Sequence, residues 1–165
     1  MYRLASLTHF FLGLVLSSIV AGGVASAEVN HLPADARIAL QKEHFVTIKK
    51  VSQIPSAGLD AFHAGQDDHD DKMAEPGGHF QVTDVVKNPP LPLRQLEFAA
   101  LSPDYLLIHH AKGGNALGYY FVLLKKSGDN FVVIWVGEGS RYSSFRRFLK
   151  GLKANAIDDR AGYAY

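Results

Sequence analysis

The sequence LEFAALSPDYLLIHHAKGGNALGYYFVLLKKSGDNFVVIWV, residues 96–136, decides the fold of this chain. It is rich in β-branched and aromatic residues, which pack well on a pleated surface, and only short turn sequences interrupt it. The predicted strands cover residues 94–101, 104–111, 117–125 and 131–136. Because connections this short join strands that run in opposite directions, the stretch predicts an antiparallel meander.

The turn sequences also predict a register. Two-residue turns at residues 113–114 and 128–129 set the pairing of the strands on either side. The expected cross-strand pairs are Leu107 with Tyr120 and Val122 with Trp135. In that register both faces of the central strands are apolar, which an antiparallel sheet with one solvated face would not show. We therefore expect packing elements on both faces.

Three helices are predicted as covers for this sheet. They are expected at residues 33–43, 55–64 and 142–154, and further strands at 44–51 and 79–87. The third helix has apolar residues at helical spacing, with Ser140 or Ser143 as its cap. The sequence thus predicts an α+β fold, in which an antiparallel sheet of about five or six strands packs against two or three helices.

The first 27 residues have the pattern of a secretory signal peptide. Arg3 precedes an apolar run at residues 10–21, and the small residues 25–27 form a cleavage sequence. The run is shorter than the roughly 20 residues that span a bilayer, so no transmembrane anchor is expected after cleavage. The alternative is an anchor that is kept. The chain also lacks cysteine, and we expect a periplasmic or secreted protein.

The mature chain is expected to form one domain, residues 28–155, followed by a flexible tail, residues 156–165. A chain of this length can bury about two-thirds of its unfolded surface in a single core. Within the domain, residues 66–78 have almost no apolar side chain and predict a solvated acidic loop. Three prolines at residues 88–92 predict a rigid connector.

Charge is balanced overall but separated along the chain. Loss of Arg3 with the signal leaves equal numbers of basic and acidic residues. A nucleic-acid partner is therefore not expected, since phosphate binding requires an excess of positive charge. Residues 60–84 contain seven acids against Lys72 alone, whereas residues 141–153 contain five bases and no acid.

The acidic loop contains the strongest candidate for a metal site. The candidate ligands are His63, Asp67, His69, Asp70 and His79. Imidazole and carboxylate groups bind zinc, nickel or copper where no thiolate is present. The spacing matches no stereotyped site, so the alternative is a solvated loop with incidental histidines. A divalent metal is the only cofactor that the sequence suggests.

A small-ligand site is predicted at one end of the sheet. Its candidate residues are His109, His110, Tyr119, Tyr120, Ser140 and Arg141. Histidine carries protons near neutral pH, and the glycine-rich turn before Arg141 offers free N–H groups to an anion. Neighbouring residues on a strand point to opposite faces, so His109 and His110 cannot share one ligand. The alternatives are hydrogen-bonded structural histidines and a simple strand-to-helix turn.

Two classes of function fit these observations. The first is an exported, non-catalytic binding or accessory protein of the cell envelope, whose partner is another envelope protein or a small ligand. The second is a divalent-metal-binding protein or a hydrolase-type enzyme that uses the loop histidines or His109 and His110. The sequence has no nucleophile elbow, phosphate loop or zinc-helix motif. This favours the first class.

Overall fold

The structure is a computed structural model that describes residues 31–66, 72–84, 90–114 and 116–158. The predicted signal peptide lies outside these residues. The helices are α1 (Ala34–Lys42), α2 (Ser56–Ala64) and α3 (Phe145–Lys153). The strands are β1 (Val46–Ile48), β2 (Met73–Ala74), β3 (Arg94–Leu101), β4 (Tyr105–Lys112), β5 (Gly118–Ser127) and β6 (Asn130–Glu138). The α+β class, the antiparallel sheet and its number of strands are confirmed. None of the described helices is long and apolar enough to cross a membrane.

The four long strands form the meander that the sequence predicts. The order across the sheet is β1, β3, β4, β5 and β6, with antiparallel pairing throughout this path. The two-residue strand β2 adds parallel to the start of β3, on the same edge as β1. The opposite edge of the sheet is β6. Among the described residues outside β5, it pairs with Asp158 through Glu138.

Both faces of the sheet are covered, as the apolar pattern requires. Helices α1 and α3 cover one face, which we call the α3 face, and α2 covers the other, the α2 face. The α3-face core contains Leu40, Phe98, Leu107, Phe121, Leu123, Trp135, Phe148 and Leu152. The α2-face core contains Ile54, Phe62, Leu96, Leu106, Ile108, Val122, Leu124 and Val136. All of these side chains are buried.

The register between β5 and β6 agrees with the predicted turn. Ser127 pairs with Asn130, so residues 128–129 form the two-residue turn, and Gly128 has the positive φ of +62° that this turn needs. Farther along, Ile134 forms a bulge, because Leu124 pairs with Val133 but Leu123 pairs with Trp135. The bulge shifts the expected partner of Trp135 by one residue.

The predicted register between β4 and β5 is wrong. The last pair joins Lys112 to Gly118, so the connection is five residues long rather than a two-residue turn at residues 113–114. Gly113 is buried and its N–H donates to the Leu93 carbonyl, which prevents it from serving as a solvent-exposed turn residue. The three-residue shift pairs His110 with Tyr120 and moves Phe121 to the α3 face. An odd shift exchanges the two faces of a strand.

Other boundaries also differ from the predictions. The strand predicted at residues 79–87 does not form over residues 79–84, where Gln81 instead donates its N–H to the Pro92 carbonyl. Helix α3 begins later than expected, and its cap is Ser144 rather than Ser140 or Ser143. The folded part extends to Asp158 instead of ending at residue 155, because Ile157 is buried in the α3-face core. Residues 159–165 lie outside the described part.

Candidate functional site

His109, a residue of the predicted ligand site, lies beside the segment that leads to α3. It sits on β4 with its ring on the α3 face and is 0% exposed. The ring stacks on Phe121, with 4.3 Å between centroids and 9° between planes, and meets Phe98 edge-on at 5.2 Å. An imidazole enclosed by aromatic rings in this way is shielded from water.

The two ring nitrogens of His109 both bind backbone groups. Nδ1 lies 2.9 Å from the Tyr120 carbonyl oxygen, and Nε2 lies 3.1 Å from the backbone N–H of Tyr142. A carbonyl can only accept, so Nδ1 must carry the proton and donate it. Nε2 is therefore the acceptor for Tyr142. The geometry selects one neutral tautomer and uses all its hydrogen-bonding capacity.

The environment of His109 also keeps it neutral. The pKa of His109 is lowered from 6.5 to about 4, and burial is the main cause. The hydrogen bond to the Tyr120 carbonyl opposes this lowering, whereas the charge of Arg141 adds to it. A proton on Nε2 would break the hydrogen bond from Tyr142 and place a charge in an apolar core. His109 is thus a structural link between β4, β5 and the segment that leads to α3.

A second link lies beside His109. The side chain of Glu97 is 8% exposed and its Oε2 accepts from Nε of Arg141 at 2.9 Å. Glu97 occupies a β-bulge, since Leu96 pairs with His110 whereas Phe98 pairs with His109. Glu97 raises the pKa of Arg141 through this hydrogen bond and its charge. Together with the Gly139 N–H, which donates to the Tyr119 carbonyl at 3.0 Å, these contacts fasten the whole β6-to-α3 connection.

His110 lies on the other side of the sheet. Its ring meets Phe62 of α2 edge-on at 5.2 Å and stacks on Tyr120 at 5.7 Å. The two neighbouring histidines thus lie on opposite faces of the sheet, as expected for adjacent residues of a strand. The predicted register would bring the ring of His109 near Tyr120 and that of His110 near Tyr119. The structure has the opposite arrangement, since the ring of His109 lies 6.3 Å from that of Tyr119 and His110 stacks on Tyr120. Burial, and next the charge of Glu138, raise the pKa of Tyr120.

The predicted ligand-site residues consequently do not form one pocket. His109, Tyr119 and Arg141 are near the α3 face, whereas His110 and Tyr120 are on the α2 face. Ser140 is exposed in the connection between β6 and α3. A separate open cleft of about 390 Å³ lies at the turns beside the start of α2. Its lining includes Ser56, Ser102, Lys126 and Phe131 and contains no predicted site residue.

The predicted metal ligands are only partly within the described residues. Asp67, His69 and Asp70 lie outside them. His63 is half-buried on α2, where its Nδ1 is enclosed and has no hydrogen-bond partner among the described residues, and His79 is exposed. In residues 31–66, 72–84, 90–114 and 116–158 no three histidine or acidic side chains are grouped as metal ligands would be. The metal site stays a prediction.

The exposed side of α3 has positive charges and no negative charge, and it forms the cationic face of α3. We use this name for Arg146, Arg147, Lys150 and Lys153, all of which are exposed. The buried residues of the same helix are Phe148, Gly151 and Leu152. Within the described part of the chain none of the four cations forms an ion pair with a carboxylate.

Comparison with known proteins gives no guide to this site. The chain matches no family model, no curated protein and no solved structure.

Proposed function

We propose that this protein is an exported, non-catalytic binding or accessory protein of the cell envelope, and that it binds an anionic partner through the cationic face of α3. The observation that carries this proposal is the exposure of all four cations, which pair with no carboxylate of the described residues, on a helix whose other side is fixed in the core. The predicted signal peptide supports export.

The placement of two of these cations supports a role beyond solubility. Arg146 and Arg147 lie in the first turn of α3, which contains no acidic residue. Each cation near the positive N-terminal end of a helix destabilises it by about 0.3–1 kcal/mol. Lys150 and Lys153 lie in the last turn, where the same dipole favours them. A positive charge that destabilises the helix at its own position indicates that the residue serves another purpose, such as binding.

The helix is also held rigidly enough to present its charges as one surface. Phe148 and Leu152 anchor it in the core, and the links at His109 and Glu97 fix the segment before it. Lys49 adds a further cation beside this segment, with its Nζ 3.4 Å from the Ser143 carbonyl. Rigid placement of like charges lowers the entropy lost on binding.

The chemistry of the partner follows from this surface. Lipid phosphate headgroups and acidic protein surfaces both offer dense negative charge. Each Lys or Arg near an anionic membrane surface contributes about 1 kcal/mol of attraction, so four correspond to a roughly thousand-fold change in affinity.

The geometry of His109 supports a non-catalytic role for the predicted ligand site. A general base needs a free nitrogen within reach of its substrate and a pKa near the working pH. Both nitrogens of His109 bind backbone groups, its ring is enclosed, and its pKa is about 4. These contacts suit a residue that stabilises the fold.

The test is binding of the mature protein to vesicles that contain phosphatidylglycerol, with a polyglutamate peptide as the second probe. Replacing Arg146, Arg147, Lys150 and Lys153 by glutamine should weaken binding by at least a hundred-fold. The matched control removes the same charge elsewhere, by replacing Lys42, Lys50, Lys125 and Lys126. Vesicle binding alone identifies a lipid source and peptide binding alone a protein source. Equal losses in the two variants, or no binding to either probe, would refute the proposal.

A divalent-metal-binding function is the second candidate. The observation that favours it is the enclosed Nδ1 of His63, which forms no hydrogen bond within the described part of the chain, because imidazole nitrogens are common metal ligands. His63 stands four residues before Asp67, at the beginning of the acidic run. Calorimetric titration with zinc, nickel and copper tests this function directly.

A further inference from the structure

The outer edge of β6, which we define as the side that does not pair with β5, carries outward-facing backbone groups near the β5–β6 turn. Ser127 and Asn130 close this two-residue turn as a hydrogen-bonded pair, so the backbone groups of Asn130 face β5. The alternation of an antiparallel ladder then turns those of Phe131 and Val133 outward. No described residue outside β5 forms a backbone hydrogen bond with either residue.

This edge lacks most of the features that normally prevent association between sheets. Residues 130–137, NFVVIWVG, contain no charge and no proline. Exposed edges of natural sheets are usually interrupted by lysine, proline, a bulge or a cover of other chain segments. The bulge at Ile134 lies beyond Phe131 and Val133, so the first residues of β6 form a regular edge.

Val132 lies at the centre of this regular part and is exposed. Its side chain is 53% exposed, although Phe131 and Val133 on either side of it pack against the α2-face core. Because successive residues of a strand point to opposite faces, Val132 lies on the α3 face. A β-branched side chain at such a position is stabilised by a cross-strand neighbour of the same kind.

We propose that β6 pairs with β6 of a second copy of this chain, about a two-fold axis at Val132. In this antiparallel register Phe131 of each copy exchanges both backbone hydrogen bonds with Val133 of the other copy. The Val132 residues of the two copies form the non-hydrogen-bonded pair between these contacts. Side chains approach each other most closely in a pair of that kind.

The edge is complementary to itself, which makes a second copy the occupant that it fits. The orientation of the backbone groups from Phe131 to Val133 is symmetric about Val132, as a two-fold interface requires. No like charges meet, because residues 130–134, over which the strands overlap, are uncharged. So short an overlap buries less than the roughly 1,200 Å² of a stable interface, so the dimer dissociates on dilution.

The symmetry of the dimer also sets the direction of its two cationic faces. A two-fold axis between antiparallel edge strands runs perpendicular to the sheet, so the α3 faces of both copies lie on the same side. The exposed cations of both α3 helices are then presented on that side. Two linked faces bind one extended anionic surface more tightly than a single face does. This consequence rests on the proposed function, whereas the dimer itself does not.

Single cysteines test the register, because the chain itself contains no cysteine. In the dimer of Val132→Cys the two Cα atoms lie about 4.5 Å apart, within the range of a disulfide. Asn130→Cys is the control for register, since residues 130 of the two copies are about 13 Å apart. Val46→Cys, on β1 at the opposite edge and 57% exposed, is the control for random collision. Mild oxidation of the mature protein should cross-link Val132→Cys at least ten-fold faster than either control.

Sedimentation equilibrium measures the association without a cross-link. The weight-average mass of the wild type should rise from that of a monomer towards that of a dimer as the concentration increases from 5 to 500 μM. Val132→Lys places like charges opposite each other and should weaken association at least ten-fold. Val46→Lys is the matched control and should leave association unchanged. Both side chains are more than half exposed, so neither substitution disturbs the core.

Three results would overturn the proposal. The first is a wild-type mass that stays monomeric over the whole concentration range. The second is cross-linking of Val132→Cys that is no faster than that of Asn130→Cys or Val46→Cys. The third is an equal loss of association in Val132→Lys and Val46→Lys, because the contact would then not be specific to β6. These measurements contain no anionic partner, so their outcome is independent of the proposed function.

Discussion

Replacing His109 by glutamine should remove a large part of the acid sensitivity of this protein. The pKa of His109 in the folded state is about 4, and burial is the main cause. In the unfolded chain its pKa is about 6.5. Between these values the unfolded state binds a proton that the folded state does not bind. The contribution of His109 to the free energy of unfolding is therefore fully present above pH 6.5 and is lost as the pH falls towards 4.

The size of this effect follows from linkage. A difference of one bound proton changes the free energy of unfolding by about 1.4 kcal/mol per pH unit. Integrated over the two pKa values, lowering the pH from 7 to 5 should cost the wild type about 2 kcal/mol through His109 alone. Below pH 4 the folded state also binds the proton, and no further loss arises from this residue.

Urea unfolding of wild type and His109→Gln at pH 7, 6 and 5 measures this contribution. The variant should be less stable at pH 7 by about 1–3 kcal/mol, because Tyr142 N–H or the Tyr120 carbonyl loses its partner. Its stability should then decrease less between pH 7 and pH 5, by about 2 kcal/mol, than that of the wild type. The comparison cancels the other seven histidines, which both proteins share. Parallel pH curves would refute the neutral, buried state of His109.

Three further predictions concern single contacts. Trp135→Phe should change stability by less than about 1 kcal/mol, because the buried indole N–H has no acceptor among the residues that the structure describes and its removal offsets the lost packing; a loss as large as that of Trp135→Ala in thermal unfolding would contradict this. Ser144→Ala should cost about 1 kcal/mol, since Ser144 Oγ accepts from the N–H of Arg147 and caps α3, whereas Ser143→Ala should be neutral in the same denaturation assay. Calorimetry with zinc, nickel and copper should show saturable binding stronger than millimolar that His63→Ala weakens, and the metal function is excluded if none of the three ions binds.

The sequence predicts the architecture of this fold well because one feature is strongly patterned. Residues 96–136 are mostly β-branched, aromatic or aliphatic and are divided by short turn sequences, which predicts a meander of strands. Its two apolar faces require two covers. Helices α2 and α3 form within the predicted ranges, although α3 begins later than expected, because Leu59 and Phe62, and later Phe148 and Leu152, recur at helical spacing.

The surroundings of His109 and His110 are less predictable from the sequence, because they depend on the pairing register between β4 and β5. The glycines at 113 and 114 resemble a tight turn, yet Gly113 is held inside by Leu93, and this long-range contact has no local signal. The resulting shift decides which aromatic rings surround His109 and His110. The bulge at Glu97 is also set by tertiary contacts, although a lone acid within the apolar residues 96–101 indicates an unusual position.

The dependence of partner binding on salt tests the central claim most directly. If the cationic face of α3 binds an anionic partner, the affinity of the mature protein for phosphatidylglycerol vesicles or polyglutamate should fall at least ten-fold between 50 and 300 mM sodium chloride, on the order expected when the Debye length shortens from about 14 to about 6 Å. The variant without Arg146, Arg147, Lys150 and Lys153 should bind weakly at all salt concentrations. An affinity that is unchanged by salt, or equally salt-dependent in that variant, would contradict the claim.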